Sequence, residues 1–297
     1  MEKALSIPKP ASLLAKIYDY GLLIKFKLLL FVVFSAAFAF LLGSKGEMNW
    51  LTFFYLSLGG FLVTGAANGL NEVFEKDIDK KMKRTQMRPL PDNRMSINEA
   101  MVVSVVSGIS GLFLLAAYVN IISAMLGMIA LFLYAFAYTP MKKISPFSVF
   151  IGAIPGAMPP LTGWVAATGE LNFEAFILFT LQFFWQFPHF WAIAWRLHDE
   201  YQLAGFKMLP SHEGKSKSSA FQIVVYSASL IPVGLMPYFF QLSGLLSAVL
   251  VTIAGVLFTI TSLQLYKTCS VEAARKVMFA SIIYLPVVMI LLVMDKL

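Results

Sequence analysis

The 297-residue sequence predicts an all-α polytopic membrane protein with nine transmembrane helices, and three observations predict it. Hydrophobic residues supply 59% of the chain and charged residues only 13%, about half the charge fraction of a soluble domain. The mean hydropathy is +0.76. The apolar residues also gather into long continuous runs, and a helix needs about 20 of them to cross the hydrocarbon core. Because the runs are continuous rather than alternating, they exclude a β-barrel.

The first run, Leu22–Leu42, follows an N-terminal segment (residues 1–20) broken by Pro8 and Pro10. No small-residue cleavage pattern follows a short apolar core there, so this run is expected to stay as a membrane anchor. The remaining eight runs are Trp50–Leu70, Asn98–Tyr118, Ile121–Tyr138, Phe147–Ala167, Asn172–Trp195, Ala220–Phe240, Leu245–Leu265 and Val277–Val293. Outer connections such as Val119–Asn120 and Thr168–Leu171 are short, whereas the connections after the second and sixth runs are long. Long loops are disproportionately functional.

Charge orients the bundle. All but two of the 23 Lys and Arg residues, Lys45 and Lys296 being the exceptions, fall on one side of this arrangement. Positive charge marks the cytoplasmic side, which puts the N-terminus in the cytoplasm and the C-terminus outside. The net charge of +7 is thereby explained by topology, with no nucleic-acid partner. One cysteine, Cys269, excludes an intrachain disulfide.

The first long inner connection carries Asn71, Glu75 and Asp79 at i, i+4 and i+8. If the helix continues past the membrane edge, these drift by only about 80° and share a face. Three oxygen-bearing groups on one face suit a hard cation such as Mg²⁺, which takes carboxylates together with phosphate oxygens. Lys83, Arg84 and Arg88 follow and would balance phosphate charge, the arginines by bidentate contacts. The plainer reading is a solvated basic loop that sets topology.

In the second long connection, His189, Arg196 and Glu200 would lie within about 20° of each other on a continuous helix. Asp199 flanks them. His189 lies inside the apolar run, where an ionisable group is a functional candidate; the alternative is that it caps a carbonyl freed by Pro188. His198 and His212 read as solvated. Three scattered histidines and one distant cysteine offer no zinc spacing, and no P-loop, dinucleotide fingerprint or serine-nucleophile motif is present.

The Asn71-xxx-Glu75-xxx-Asp79 run, continuing through Arg84 to Arg88-Pro89-Leu90, resembles the first aspartate-rich motif of the UbiA superfamily of intramembrane prenyltransferases. Trp185-Gln-Phe-Pro188-His189-Phe190 and Asp199-Glu200-Tyr201-xx-Ala204-Gly205 resemble its heme-farnesylating branch. Further matches are Tyr138-Thr139-Pro-Met-Lys142-Lys143, Gly152 to Trp164, and Ala274 to Pro286, so the likeness runs over nearly the whole chain. Two departures leave the metal count and second-site ligands open: Glu75 stands where Asp is commoner, and the second motif is less acidic.

The resemblance implies a single membrane-embedded domain (residues 1–297) in the cell inner membrane, with nine helices. Residues 71–97 and 196–219 would then be cytoplasmic active-site loops. Farnesyl diphosphate would be the donor, heme b the acceptor, heme O the product and Mg²⁺ the cofactor. Asn71, Glu75 and Asp79 would be catalytic and hold the metal, with Asp199 and Glu200 at a second ion. Lys83, Arg84, Arg88, Lys142 and Lys143 would meet the diphosphate, and His189, Arg196, Tyr201 and Lys207 the heme. The lipid bilayer surrounds the chain, and heme A synthase or terminal-oxidase assembly would be downstream partners. Open alternatives are a relative acting on a quinone precursor or chlorophyllide, a secondary transporter, and a non-catalytic heme-assembly factor.

Overall fold

A computed structural model describes residues 12–44, 46–211 and 213–297. Pro8, Pro10, Lys45 and His212 lie outside the described residues. Helix α1 (Leu13–Leu23) starts at Ser12, whose hydroxyl accepts the Ala15 N–H. The chain then turns at Lys25, held at φ 56°, into α2 (Phe26–Gly43). The first apolar run is therefore carried by α2, with only Leu22 and Leu23 belonging to the end of α1. The break is fixed from outside, because Asn68 Nδ2 donates to the Ile24 carbonyl at 3.0 Å.

Helix α3 (Trp50–Asp79) is 30 residues long, about 45 Å at 1.5 Å per residue. That exceeds a hydrocarbon core of about 30 Å, so its last turns project beyond the apolar run. Residues 71–79, expected to open the first loop, are thus helical. There follow α4 (Ile97–Tyr118), α5 (Ile121–Phe132), a π-helical stretch (Leu133–Tyr138) and α6 (Thr139–Met141). The chain continues through α7 (Ser148–Thr168), α8 (Phe173–Arg196), the short α9 (His198–Leu203), α10 (Lys217–Phe239), α11 (Leu245–Thr268) and α12 (Val271–Met294).

Among the described residues, eight helices are long and apolar enough to cross a membrane, α5 to α6 counting as one. The expected crossing at Asn172–Trp195 forms α8, 24 residues long, whose apolar character is diluted by Gln182, Gln186 and His189. Gln182 and Gln186 are buried, so they need not be compatible with lipid. The chain is an all-α, multi-pass membrane protein.

Packing follows the rule for helices in lipid, with small residues inside and large apolar ones outside. On α4 the buried positions are Ala100, Ser104, Gly108, Gly111 and Leu115, while Val102, Val106, Ile109 and Phe113 face outward. The α3–α4 crossing is so close that a Cβ on Gly111 would lie 2.8 Å from the Gly59 carbonyl oxygen. Successive helices pack side by side, and α12 returns to pack on both α8 and α2, closing the circuit.

Helix α7 is built around three prolines, Pro155, Pro159 and Pro160. Each lacks the N–H that would reach back four residues, so Pro160 leaves the Gly156 carbonyl without its helical donor. Gln182 supplies the replacement, donating from Nε2 to the Gly156 carbonyl at 2.7 Å while its Oε1 accepts from Ser35. Gln182→Leu should therefore destabilise the protein by about 1–3 kcal/mol, the cost of a buried acceptor left unpaired. Chemical unfolding in detergent checks this; an unchanged transition would mean that another donor serves the carbonyl.

Candidate active site

The C-terminal end of α3 presents Asn71, Glu75 and Asp79 on successive turns, and all three are buried. Asn71 Nδ2 donates to Glu75 Oε2 at 2.9 Å and to Thr139 Oγ1 at 3.1 Å. Thr139 in turn donates its hydroxyl to the Tyr134 carbonyl, in the widened π-helical stretch. Such stretches recur at functional sites.

Each member of the trio meets a cation from a different part of the chain. Lys25 Nζ donates to Asn71 Oδ1 at 2.7 Å, Lys142 Nζ lies 2.6 Å from Glu75 Oε1, and Arg88 Nη1 lies 2.7 Å from Asp79 Oδ2. With the buried Glu72, which also faces Lys25 and Arg88, the cluster sets three basic side chains against three carboxyl groups, and burial pushes the Lys25 ammonium pKa down to about 7. Burial pushes the Lys142 ammonium pKa down, opposed by the Glu75 carboxylate. Burial raises that of the nearby Tyr201 phenol, opposed by Arg84.

The two long connections converge over this cluster. The Arg84 backbone N–H donates to Glu200 Oε2 at 3.2 Å, and Arg84 Nη2 donates to the Tyr201 hydroxyl at 3.4 Å. The Lys207 N–H donates to the Lys142 carbonyl at 2.7 Å. The second connection is not a continuous helix, however. Leu197 (φ −101°, ψ 17°) separates α8 from α9, so Glu200 leaves the face of His189 and Arg196 and turns toward Arg84. Asp199 is not brought in at all: its side chain is 87% exposed and pairs with Lys215 at 3.1 Å. The side chains of Lys83, Lys143 and Lys207 are exposed at the rim. His198, expected in solvent, is half-buried, and desolvation lowers its pKa.

Beneath the cluster lies a largely apolar cavity of about 460 Å³, reached by Asn68, Tyr134, Tyr138, Trp185 and His189. That is the size and character of a small-molecule site. His189 does not cap the carbonyl freed by Pro188; its Nδ1 lies 2.8 Å from Ser281 Oγ on α12. Arg196 donates to the Met278 sulfur.

The model of the UbiA prenyltransferase family matches residues 32–283. The chain belongs to the UbiA prenyltransferase family. It is 45% identical over 277 residues to a protoheme IX farnesyltransferase of Cytophaga hutchinsonii, the match covering 93% of this chain and 97% of that one. Two solved structures share the UbiA fold. A digeranylgeranylglyceryl phosphate synthase superposes with a TM-score of 0.78 at 23% identity, covering 94% of this chain and 98% of that chain. A UbiA homolog from Archaeoglobus fulgidus, bound to GPP and Mg²⁺, gives 0.64 at 14% identity, covering 93% and 99%.

The donor set of this UbiA chain fits magnesium. Among the described residues no three His, Cys, Asp or Glu gather as a metal cage. The trio offers two carboxylates and one amide oxygen, and Mg²⁺ is typically held by one or two carboxylates with substrate phosphates completing the shell. Asp79 Oδ1 accepts no hydrogen bond among the described residues, which leaves its lone pairs available, whereas Glu75 Oε1 faces the Lys142 ammonium at 2.6 Å.

Sequence reasoning missed Lys25, Thr139 and Ser281 as site residues. Lys25 registered only as a topology charge, and nothing local ties it to Asn71, 46 residues away. Thr139 sat within a matching segment but carried no charge to single it out.

Proposed function

We propose that this UbiA chain transfers the farnesyl group of farnesyl diphosphate to a vinyl group of heme b, releasing diphosphate and giving heme O. The observation that carries the reading is the near end-to-end match with a curated protoheme IX farnesyltransferase. The geometry supports it: a buried cluster of basic side chains and carboxylates stands at one end of an apolar cavity, which suits a metal-bound anionic head with an apolar tail.

Asn71, Glu75 and Asp79 are the residues that would hold Mg²⁺, which supplies charge neutralisation on the departing diphosphate. Lys25, Lys142 and Arg88, each within 2.7 Å of the trio, are placed to donate to diphosphate oxygens as well. Arg84, held over Tyr201, adds a guanidinium at the rim. The allylic C–O bond breaks with its electron pair leaving on diphosphate. The vinyl π electrons form the new C–C bond, and water adds to the resulting cation with loss of a proton. Donors preorganised where charge develops are the largest single source of rate enhancement in many enzymes. The apolar walls keep other water from the allylic cation, with Tyr134 and Tyr138 presenting aromatic surface. Asp199 stands outside this metal set.

The basic-residue asymmetry supports a cytoplasmic N-terminus, an outside C-terminus and a cell inner membrane location. Handover of the product to heme A synthase or terminal-oxidase assembly is supported by the resemblance, and co-purification tests it. The decisive experiment incubates the purified protein with heme b, Mg²⁺ and farnesyl diphosphate and weighs the heme. A gain of farnesyl plus a hydroxyl group is expected. Folded protein that leaves the heme mass unshifted would sink the reading, and prenylation of 4-hydroxybenzoate instead would redirect it.

A further inference from the structure

Four contacts define the state of the His189 ring. The Ser281 hydroxyl has one proton, and its Oγ lies 2.6 Å from the Met278 carbonyl, which can only accept. In the arrangement that keeps this bond, Ser281 Oγ accepts from His189 Nδ1 at 2.8 Å. A neutral imidazole carries one N–H, so Nε2 is left as a bare lone pair. The ring plane is clamped as well. Trp185 stacks on it with centroids 4.8 Å apart and planes 16° from parallel, and Trp185 Nε1 is itself anchored to the Ser281 carbonyl at 2.8 Å.

Nε2 has no hydrogen-bond partner among the described residues, and His189 lines the apolar cavity. His189 is only half-buried, so Nε2 is open to an occupant of the cavity. A neutral imidazole whose other N–H is held by the protein is the form in which histidine binds metals. Seven residues on, about 10 Å along the helix and on nearly the same face, Arg196 donates to the weakly accepting Met278 sulfur and has no carboxylate partner among the described residues.

We propose that His189 Nε2 is an axial ligand to the iron of the heme substrate, with Ser281 as the positioning residue that sets its tautomer and Arg196 receiving a propionate. The inference rests on heme b being the acceptor. It gives the flat apolar substrate one fixed point at the iron and a second at its acidic edge, which would hold a vinyl group in place for attack.

The test titrates the purified full-length protein with ferric heme b and, in parallel, with metal-free protoporphyrin IX, recording absorption and electron paramagnetic resonance spectra. The wild type should show nitrogen-ligated iron and prefer heme b by about tenfold or more. His189→Ala should lose both the signature and the preference while still binding prenyl diphosphate, which reports its fold. His189→Gly should regain the signature on addition of imidazole. Ser281→Ala should weaken heme b about tenfold and leave metal-free porphyrin unchanged. An identical iron spectrum in wild type and His189→Ala, with wild-type farnesylation intact, overturns ligation but spares the proposed function. If that variant yields product lacking the hydroxyl, the imidazole serves the water instead and ligation is again overturned. A wild type that binds no heme b overturns both.

Discussion

Glu75→Gln is expected to lower turnover by about 10²–10³-fold, the usual loss when a group that stabilises developing charge is removed. The substitution keeps the shape of the side chain and a carbonyl oxygen to accept the Asn71 amide. What it removes is the charge that faces Lys142 at 2.6 Å and that would bind the metal. The change also has a stability consequence, because both side chains are buried, with exposures of 10% for Lys142 and 5% for Glu75. Breaking a buried pair from one side costs about 3–5 kcal/mol, since the surviving charge is left uncompensated.

The two effects can be separated. Glu75→Gln combined with Lys142→Met should recover most of the stability and none of the activity, because it leaves neither charge buried and uncompensated. Diphosphate release measures turnover, and chemical unfolding in detergent measures stability. Turnover of the single variant within about twofold of wild type would remove Glu75 from the machinery. Replacing Asn71, Glu75 and Asp79 together should abolish diphosphate release.

The largest stability effect of a single added methyl is expected at Gly163. A Cβ there would overlap the backbone of Ala36, where α2 crosses α7. Backbone cannot rotate aside as a side-chain tip does, so the two helices must separate. Gly163→Ala should cost about 1–3 kcal/mol, in the range of overpacking. Gly21 provides the contrast, since it lies in α1 with nothing within 4 Å of an added Cβ. There the same change should stabilise by about 0.5–1 kcal/mol through helix propensity alone. Thermal unfolding in one detergent checks both, and equal melting temperatures for the two variants would contradict the close crossing.

These sites differ in how visible they were. The trio on α3 could be read directly, because i, i+4 and i+8 positions are fixed by helix geometry once the helix exists, and α3 does run unbroken to Asp79. The same reasoning failed in the second connection. There the helix stops at Leu197, so Glu200 and Asp199 depart from the face that holds His189 and Arg196. The break carries no proline or glycine to announce it. It serves contacts made elsewhere, with Glu200 reaching Arg84 across 116 residues and Lys207 reaching the Lys142 backbone. The polar helix α8 shows the reverse case: Gln182 and Gln186 weaken its apolar signal because they answer carbonyls on α7.

By itself, the chain's order of residues determined which segments are helices suited to lipid, which side holds the basic loops, and which oxygen ligands share a turn-by-turn face. Those properties depend on neighbours within a few residues, where backbone geometry leaves little choice. Only the folded bundle decided that Lys25, Lys142 and Arg88 converge on one trio, that Asp199 turns away to Lys215, and that Ser281 meets the His189 ring. Apart from the nearby Arg88 and Lys215, these partners lie far apart along the chain. Their meeting is set by how close-packed helices fit against one another, which no local periodicity encodes.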